Sequence, residues 1–152
     1  MKKYQLFREN IFTEAIINAS SARVWSIITD FDQYEAWSIP ILISGKCVKG
    51  TRLKIQANVP GRKPTVFNGR LLACREMEKL EWKGYTIASF IFTGLHSFEI
   101  IPLNDNQVKF VNKESFSGLA IPFLKKNLLR TKIKDFHNDT NLAIKRISEL
   151  VS

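Results

Sequence analysis

Residues 20–37 constrain the fold more than any other segment, because they predict two short helices that are rich in aromatic side chains. Ser20 or Ser21 can cap the first helix, since a short side-chain oxygen accepts a hydrogen bond from an otherwise unpaired backbone N–H. The apolar side chains that follow share one helical face: Val24, Trp25, Ile28 and Phe31. Asp32, with Glu35 three residues later, has the pattern of a second helix start. The apolar face of this second helix would consist of Tyr34 and Trp37.

Strand signals dominate the rest of the chain up to residue 116. A first strand is predicted before the helices, over residues 8–19, because its side chains alternate with a period of two. Further strands are predicted over residues 41–48, 52–59, 65–75, 79–85, 95–103 and 107–116, with residues 86–94 apolar and ambiguous. Because turns of hairpin length join these strands, we expect a largely antiparallel sheet.

One long helix is predicted over residues 120–151, with Pro122 in its first turn, where a missing N–H costs nothing. Its apolar stripe would consist of Ile121, Leu124, Leu128, Ile133, Phe136, Ala143, Ile147 and Leu150. Its other faces carry the basic residues Lys125, Lys126, Arg130, Lys132, Lys134, Lys145 and Arg146. A helix with one apolar stripe is expected to lie on the sheet. A curved sheet around such a helix would leave a space between the two.

Length and composition predict a single domain over residues 1–152. Nothing at the N-terminus has the apolar core of a signal peptide, and no apolar run approaches the ~20 residues of a membrane span. The cysteines, Cys47 and Cys74, show no paired or metal-type spacing, which favours a reduced, cytoplasmic protein. The net charge of +9 is compatible with nucleic acid or an anionic membrane surface, but the basic residues are scattered as solvated charges usually are.

The last predicted hairpin contains the strongest candidate site. If Asp105 lies at the centre of its turn, His96 faces Glu114 across the strands. The same register places two more pairs opposite one another: Phe98 with Asn112, and Ile100 with Phe110. Because a buried carboxylate needs a partner, we predict that His96 and Glu114 form an inward-facing pair. Such a pair could hold the polar head of a ligand, act as a general acid and base, or simply satisfy its own hydrogen bonds.

Other candidates are less specific. Trp82 and Phe67 suit a pocket wall and a plain core equally well, Arg70 is expected to point outward, and His137 is expected at a rim or on the surface. We expect no metal and no cofactor, because the histidines and cysteines show no ligand spacing and the sequence has no glycine-rich phosphate loop.

The residues that follow, in this order along the chain, resemble the START-like superfamily, also called SRPBCC, which includes the polyketide cyclase/dehydrase and lipid-transport group. The first motif comprises Ala22, Val24, Trp25, Ile28, Asp30, Phe31, Tyr34 and Trp37. The later motifs comprise Gly50 and Leu53; Leu80, Trp82 and Gly84; Gly94, His96, Phe98 and Ile100; Glu114, Phe116 and Gly118; and Phe136, Asn141, Ala143, Ile144 and Lys145. The chain departs from the family at residues 37–40, where relatives often carry Trp-Asn-Pro.

The resemblance implies an α+β helix-grip fold: a curved antiparallel sheet wrapped around a long C-terminal helix, with two short helices after the first strand. It also implies an apolar cavity under that helix. Members of the superfamily bind lipids, sterols, polyketides, quinones or plant hormones. Some catalyse cyclisation or dehydration, and others act through protein partners.

We therefore expect a small hydrophobic or amphipathic ligand, such as a lipid, a polyketide or a quinone-like molecule. The predicted ligand-binding residues are Trp37, Phe67, Trp82, His96, Phe98, Phe110, Asn112, Glu114, Leu124, Leu128 and Phe136. An alternative is a polyketide cyclase or dehydratase in which His96 and Glu114 are catalytic. A third possibility is a surface module whose basic C-terminal helix meets anionic lipid, RNA or an acidic protein; no DNA is expected. The sequence leaves open whether the protein is an enzyme.

Overall fold

The computed structural model describes residues 7–37, 40–58, 61, 63–86, 91–123 and 126–150. Its strands are β1 (Arg8–Ile17), β2 (Ile41–Ser44), β3 (Arg52–Ala57), β4 (Thr65–Arg75), β5 (Lys79–Thr86), β6 (Phe92–Asn104) and β7 (Gln107–Ser117). Its α-helices are α1 (Ser21–Thr29), α2 (Tyr34–Trp37) and α3 (Lys126–Glu149). Two 3₁₀ turns, Phe31–Gln33 and Ile121–Phe123, precede α2 and α3. None of the helices in the described ranges is long and apolar enough to cross a membrane.

The strands form one seven-stranded sheet in the order β1-β7-β6-β5-β4-β3-β2. All neighbouring strands are antiparallel, and the long helix α3 packs chiefly on β1. This confirms the predicted α+β architecture and its element order. The predicted register of the last hairpin is also confirmed, since His96 lies opposite Glu114 and Phe98 opposite Asn112.

The two short helices form as the sequence predicts, with one correction. The Ser20 side chain caps α1 by accepting a hydrogen bond from the Arg23 N–H at 3.2 Å. Asp32 does not start the second helix; it lies inside the first 3₁₀ turn, and α2 begins at Tyr34. The buried Tyr34 hydroxyl donates a hydrogen bond to the Ile28 carbonyl near the end of α1. This contact ties the start of α2 to the end of α1.

The long helix departs from its prediction in its limits and in its buried face. Residues 121–123 form a separate turn, and the helix itself ends at Glu149. Leu150 was expected on the apolar stripe but is 58% exposed. The buried face instead includes four polar side chains at helical spacing: His137, Thr140, Asn141 and Ser148. The expectation that His137 lies at a rim or on the surface is wrong, because its side chain is fully buried.

The core fills the space between the sheet and the helices. Its largest fully buried apolar side chains include Tyr34, Phe98, Phe110, Leu71 and Leu80. These residues come from α2 and from strands β4 to β7, and Ile144 of α3 belongs to the same cluster. The core therefore joins the sheet to the helix that carries the buried polar residues.

Candidate functional site

A row of three glycines crosses the inner face of the sheet. Gly69 on β4 lies opposite Gly84 on β5, and Gly84 lies opposite Gly94 on β6. A Cβ added at Gly69 or Gly84 would point toward the Ile55 side chain, which is buried in the core. Gly84 and Gly94 border a space that neighbouring side chains do not fill, whereas at Gly69 the Lys83 carbonyl and the Ile55 side chain already occupy the place of a Cβ.

This space is a cavity of about 80 Å³ under the sheet, which we call the inner cavity. Among the described residues, it is lined by Ile41, Ile55, Ala57, Phe67, Trp82, Gly84, Phe92, Gly94, His96, Glu114, Phe116 and Phe136. Ten of these twelve are apolar residues or glycines, and the two polar ones are His96 and Glu114. A mostly apolar cavity with a few convergent polar groups is the usual form of a small-molecule site.

The Glu114 carboxylate lies between two histidines. Its Oε2 atom is 2.8 Å from Nε2 of His137 and 3.6 Å from Nδ1 of His96. Burial raises the pKa of Glu114, but the charge of His96 and the hydrogen bonds from both rings outweigh it and lower the pKa to about 2. An ionised carboxylate, with 16% of its side chain exposed, therefore forms part of an otherwise apolar wall at neutral pH.

A chain of hydrogen bonds holds the ring nitrogen of His96 that is turned away from Glu114. Its Nε2 lies 2.7 Å from Oδ1 of Asn112, and the Asn112 amide donates to Oδ1 of Asn141 at 3.0 Å. The Asn141 amide in turn donates to the Thr13 hydroxyl at 3.0 Å. With the amides in this orientation, His96 carries a hydrogen on Nε2 and turns Nδ1 toward Glu114. The Trp82 ring stacks on the imidazole with a centroid separation of 4.5 Å, which fixes the ring plane.

His137 approaches the same carboxylate from α3. Its Nε2 donates to Glu114, and its ring centroid is 5.0 Å from that of His96. Burial lowers the pKa of His137, although the hydrogen bond to Glu114 opposes this effect. The other ring nitrogen, Nδ1, is buried without a hydrogen-bond partner among the described residues. The ring is therefore a neutral donor to Glu114 with one buried acceptor atom unused.

A larger groove lies on the other side of Phe136. This outer groove has a volume of about 460 Å³. Its lining among the described residues is more polar than that of the inner cavity: Trp37, Pro40, Asn58, Lys132, Asp135, Phe136, Asp139, Leu142, Ala143 and Arg146. Phe136 lines both spaces, and Pro40 and Asn58 of the groove adjoin Ile41 and Ala57 of the cavity. The Phe136 side chain is thus part of the boundary between them.

The structure divides the predicted ligand-binding residues into groups. Phe67, Trp82, His96, Glu114 and Phe136 line the inner cavity, whereas Trp37 lines the outer groove. Three are fully buried without being among the described lining residues: Phe98, Phe110 and Asn112. Leu124 lies outside the described residues, and so does the side chain of Leu128. Arg70 is exposed, as its predicted outward orientation requires.

Sequence reasoning missed His137, Asn141 and the glycine row. His137 is one residue after Phe136 on the predicted apolar stripe, and Asn141 is four residues further on, so helical spacing contained a signal for both. Polar residues on a helix usually face water, so this spacing alone predicts a rim or surface position for His137. His96 and His137 are 41 residues apart in the chain, so their closeness follows from the packing of α3 against the sheet and not from spacing.

The arrangement is suited to two kinds of chemistry. An ionised carboxylate at a cavity wall accepts hydrogen bonds from a ligand donor. The imidazole of His96 can take up a proton as a general base, because the Glu114 carboxylate beside it stabilises the charged ring. The aromatic walls favour a ring or an alkyl group next to the polar head.

Neither protein-family models nor curated proteins match the sequence. Solved structures do. The Zhui aromatase/cyclase from a Streptomyces species superposes with a TM-score of 0.77 at 12% identity, over 94% of each chain. A hypothetical protein from Helicobacter pylori superposes with a TM-score of 0.75 at 16% identity, over 93% of this chain and 88% of that one. Norcoclaurine synthase from Thalictrum flavum, in complex with dopamine and hydroxybenzaldehyde, superposes with a TM-score of 0.70 at 12% identity, over 97% of this chain and 91% of that one.

At such identities the likeness concerns the fold, and the fold is the one that the sequence motifs predicted. The seven-stranded antiparallel sheet, the short helices after β1 and the long C-terminal helix all have counterparts in these structures. The chain therefore has a helix-grip fold, which is the fold that its resemblance to the START-like, or SRPBCC, superfamily implies.

Proposed function

We propose that the protein binds a small amphipathic molecule whose polar head is held by Glu114 and His96 in the inner cavity. The observation that carries this proposal is the ionised carboxylate of Glu114 at the wall of a cavity that is otherwise apolar and aromatic. A buried charge is costly unless it is paired and hydrogen-bonded, so its placement at an internal surface favours a binding role.

The two spaces suggest how such a ligand would lie. An apolar cavity of roughly 150 Å³ is enough to hold benzene, so the inner cavity of about 80 Å³ suits a polar head or part of one ring. The outer groove of about 460 Å³ falls within the range of ligand pockets, roughly 300–1,000 Å³. The head would therefore contact Glu114, while the rest of the ligand would pass Phe136 into the groove.

The charge of Glu114 predicts which polar heads bind. A carboxylate accepts hydrogen bonds and cannot donate them, so the head should be a donor such as a phenol, an alcohol or an amine. An anionic head would be repelled: two like charges about 5 Å apart, at an effective dielectric constant of about 20, differ from a neutral pair by roughly 3 kcal/mol. Fatty acids are accordingly poor candidates, and ring phenols are good ones.

The first test is native mass spectrometry of freshly purified protein, followed by denaturing extraction of any bound molecule. The second is a fluorescence titration with phenol and with benzoate, which differ mainly in the charge of the head. We expect phenol to quench Trp82 saturably and benzoate to bind at least about tenfold more weakly. Glu114→Gln should reduce the difference in affinity between phenol and benzoate, because it removes the negative charge. Trp82→Phe is the control that assigns the fluorescence signal to Trp82. Benzoate binding as tightly as phenol would contradict the proposal.

A second candidate function is catalysis of the cyclase or dehydratase type. It is favoured by the position of His96 and Glu114 on the cavity wall, where a base could remove a proton next to a substrate carbonyl. The structural likeness to an aromatase/cyclase is compatible with it but concerns the fold alone. If a substrate is identified from the extract, a His96→Ala variant should bind it and lose turnover. Unchanged turnover in that variant would exclude the role.

Binding of an anionic partner to the basic surface of α3 remains a separate prediction. Arg130 forms an ion pair with Glu9 of β1, and Asp135 and Asp139 lie among the basic side chains. Binding to anionic vesicles through Lys132 and Lys134 should weaken steeply as salt is added, because exposed charges are screened. If vesicle binding does not depend on salt, the basic surface is not the binding site, and ligand binding in the inner cavity is the better explanation of function.

A further inference from the structure

We propose that His96, Glu114 and His137 together bind a divalent transition-metal ion of the Zn²⁺ type at the edge of the inner cavity. This goes beyond the ligand-binding function, because it can hold whether or not an organic ligand binds. Three kinds of observation support it: the closeness of the three side chains, the atoms that they turn toward one another, and the groups that orient His96.

The geometry is close to that of a metal site. One ligand atom from each of His96, Glu114 and His137 lies within 4.8 Å of the other two. The two separations involving the carboxylate are 2.8 and 3.6 Å. Zinc binds nitrogen and oxygen at about 2.0–2.2 Å, so tetrahedral ligand atoms lie roughly 3.3–3.6 Å apart. Side-chain movements of about an ångström would therefore bring all three atoms into range. The hydrogen that Nε2 of His137 donates to Glu114 would move to Nδ1 when the metal binds Nε2.

A cation would fit between the facing atoms of His96 and Glu114. Nε2 of His96 is engaged by Asn112, and Nδ1 of the same ring lies 3.6 Å from Oε2 of Glu114. An ion between Nδ1 and Oε2 would bond to both atoms. A proton on Nδ1 is the alternative, and it would make a simple ion pair in place of a metal site. The metal titration below separates the two.

The contacts around His96 are those of a metal ligand. A histidine that binds a metal usually donates its other N–H to an oxygen, which fixes the tautomer and the ring orientation. His96 does this through Asn112, and the Trp82 ring holds its plane. Glu114 and His96 both line the inner cavity, so the remaining coordination position would face that cavity. Three protein ligands and one open position are the pattern of zinc sites that act on a bound molecule.

Zinc also binds thiolates, and this chain offers a competing pair. The sulfur atoms of Cys47 and Cys74 are 3.0 Å apart and half-buried. Neither cysteine is among the described residues that line the inner cavity. Any measured metal binding must therefore be assigned by substitution, and cobalt is useful because its spectrum distinguishes thiolate from histidine ligands.

The experiment is a calorimetric titration of the full chain with Zn²⁺ after treatment with a chelator and its removal. We expect saturable binding of one ion per chain and a rise in melting temperature with metal. Glu114→Gln should weaken binding at least about tenfold, since even the loss of a supporting residue costs 10–100-fold. The matched control, Cys47→Ser with Cys74→Ser, should bind as the wild type does, and Co²⁺ should give no thiolate band.

Binding that is lost in the double cysteine variant, or equal in Glu114→Gln, would overturn the proposal, as would the absence of saturable binding. Circular dichroism of each metal-free variant establishes that it is folded. If Glu114→Gln does not fold, His137→Gln takes its place, because it removes a ligand and keeps a hydrogen-bonding side chain. The phenol titration is carried out on metal-free protein, so failure of metal binding and failure of ligand binding are distinguished.

Discussion

The glycine row gives the sharpest test of how this sequence makes its cavity. In a Gly84→Ala variant, the nearest atoms to the new Cβ are Ile55 Cδ1 at 3.6 Å, Phe67 Cβ at 3.9 Å and the Asn68 carbonyl oxygen at 4.0 Å. These are ordinary contacts, so the methyl group enters the cavity without displacing its neighbours. Reduced freedom of the unfolded chain contributes about 0.4–1 kcal/mol. Burial of a methyl group adds up to about 0.8 kcal/mol.

The cross-strand partner of Gly84 provides the matched contrast. A Cβ added at Gly69 would lie 2.6 Å from the Lys83 carbonyl oxygen and 2.7 Å from Ile55 Cδ1. The carbonyl belongs to the neighbouring strand and cannot rotate away, so the two strands must move apart. Forcing extra volume into a packed region costs typically about 1–3 kcal/mol. The same substitution should therefore stabilise the protein at residue 84 and destabilise it at residue 69.

Urea denaturation of the wild type and the two variants measures this difference. A gain of 1 kcal/mol corresponds to roughly 2–4 °C in melting temperature for a chain of this size. Phenol affinity should fall in Gly84→Ala, because its methyl group occupies part of a cavity of about 80 Å³. Equal stability of the two variants would refute the contact argument. Unchanged phenol affinity in Gly84→Ala would mean that the probe binds somewhere other than the inner cavity.

Three further predictions concern two residues of the site, Glu114 and Phe136, and one residue of the core, Tyr34. The pKa of Glu114 is lowered from 4.5 to about 2, so its charged form stabilises the folded protein. As pH falls from 4.5 to about 2, the metal-free wild type should lose about 3 kcal/mol of stability relative to Glu114→Gln, since one pKa unit corresponds to about 1.36 kcal/mol. Urea denaturation at a series of pH values measures this loss. Tyr34→Phe removes the bond to the Ile28 carbonyl and should destabilise the fold by about 1 kcal/mol. Phe136→Ala should speed phenol association in stopped-flow fluorescence, because it opens the boundary between the two spaces.

Local signals explain why the last hairpin could be predicted in detail. Asp105 lies in a run of turn-forming residues, and apolar side chains alternate on both sides of it. A slip of one residue would place Lys113 opposite Phe98, so the pattern leaves one favourable register. The His96–Glu114 pair followed from that register. A cap at Ser20 or Ser21 was predicted for the same reason, and the structure has it at Ser20, whose partner at Arg23 is three residues away.

The sequence does not predict in the same way which face of α3 is buried against the sheet. An apolar stripe fixes a helix orientation only when the buried face is apolar throughout. Here the buried face contains His137 and Asn141, whose partners Glu114 and Asn112 belong to a strand that precedes the helix in the sequence. The glycine row posed a similar problem. It depends on the register of three strands, including a shift between Leu71 and Ala73 that no turn signal marks.

The buried polar network is more costly than an apolar core would be, and that cost favours a functional role. A network whose members are all paired is stable, whereas one with unpaired atoms is worse than apolar packing. In this protein Nδ1 of His137 is buried without a partner among the described residues, and Glu114 keeps its charge beside an apolar cavity. A donor group or a cation in that cavity would give the Glu114 carboxylate a further partner. The free energy of folding and the affinity for such a ligand are therefore coupled, and each ligand that binds at Glu114 should raise the melting temperature.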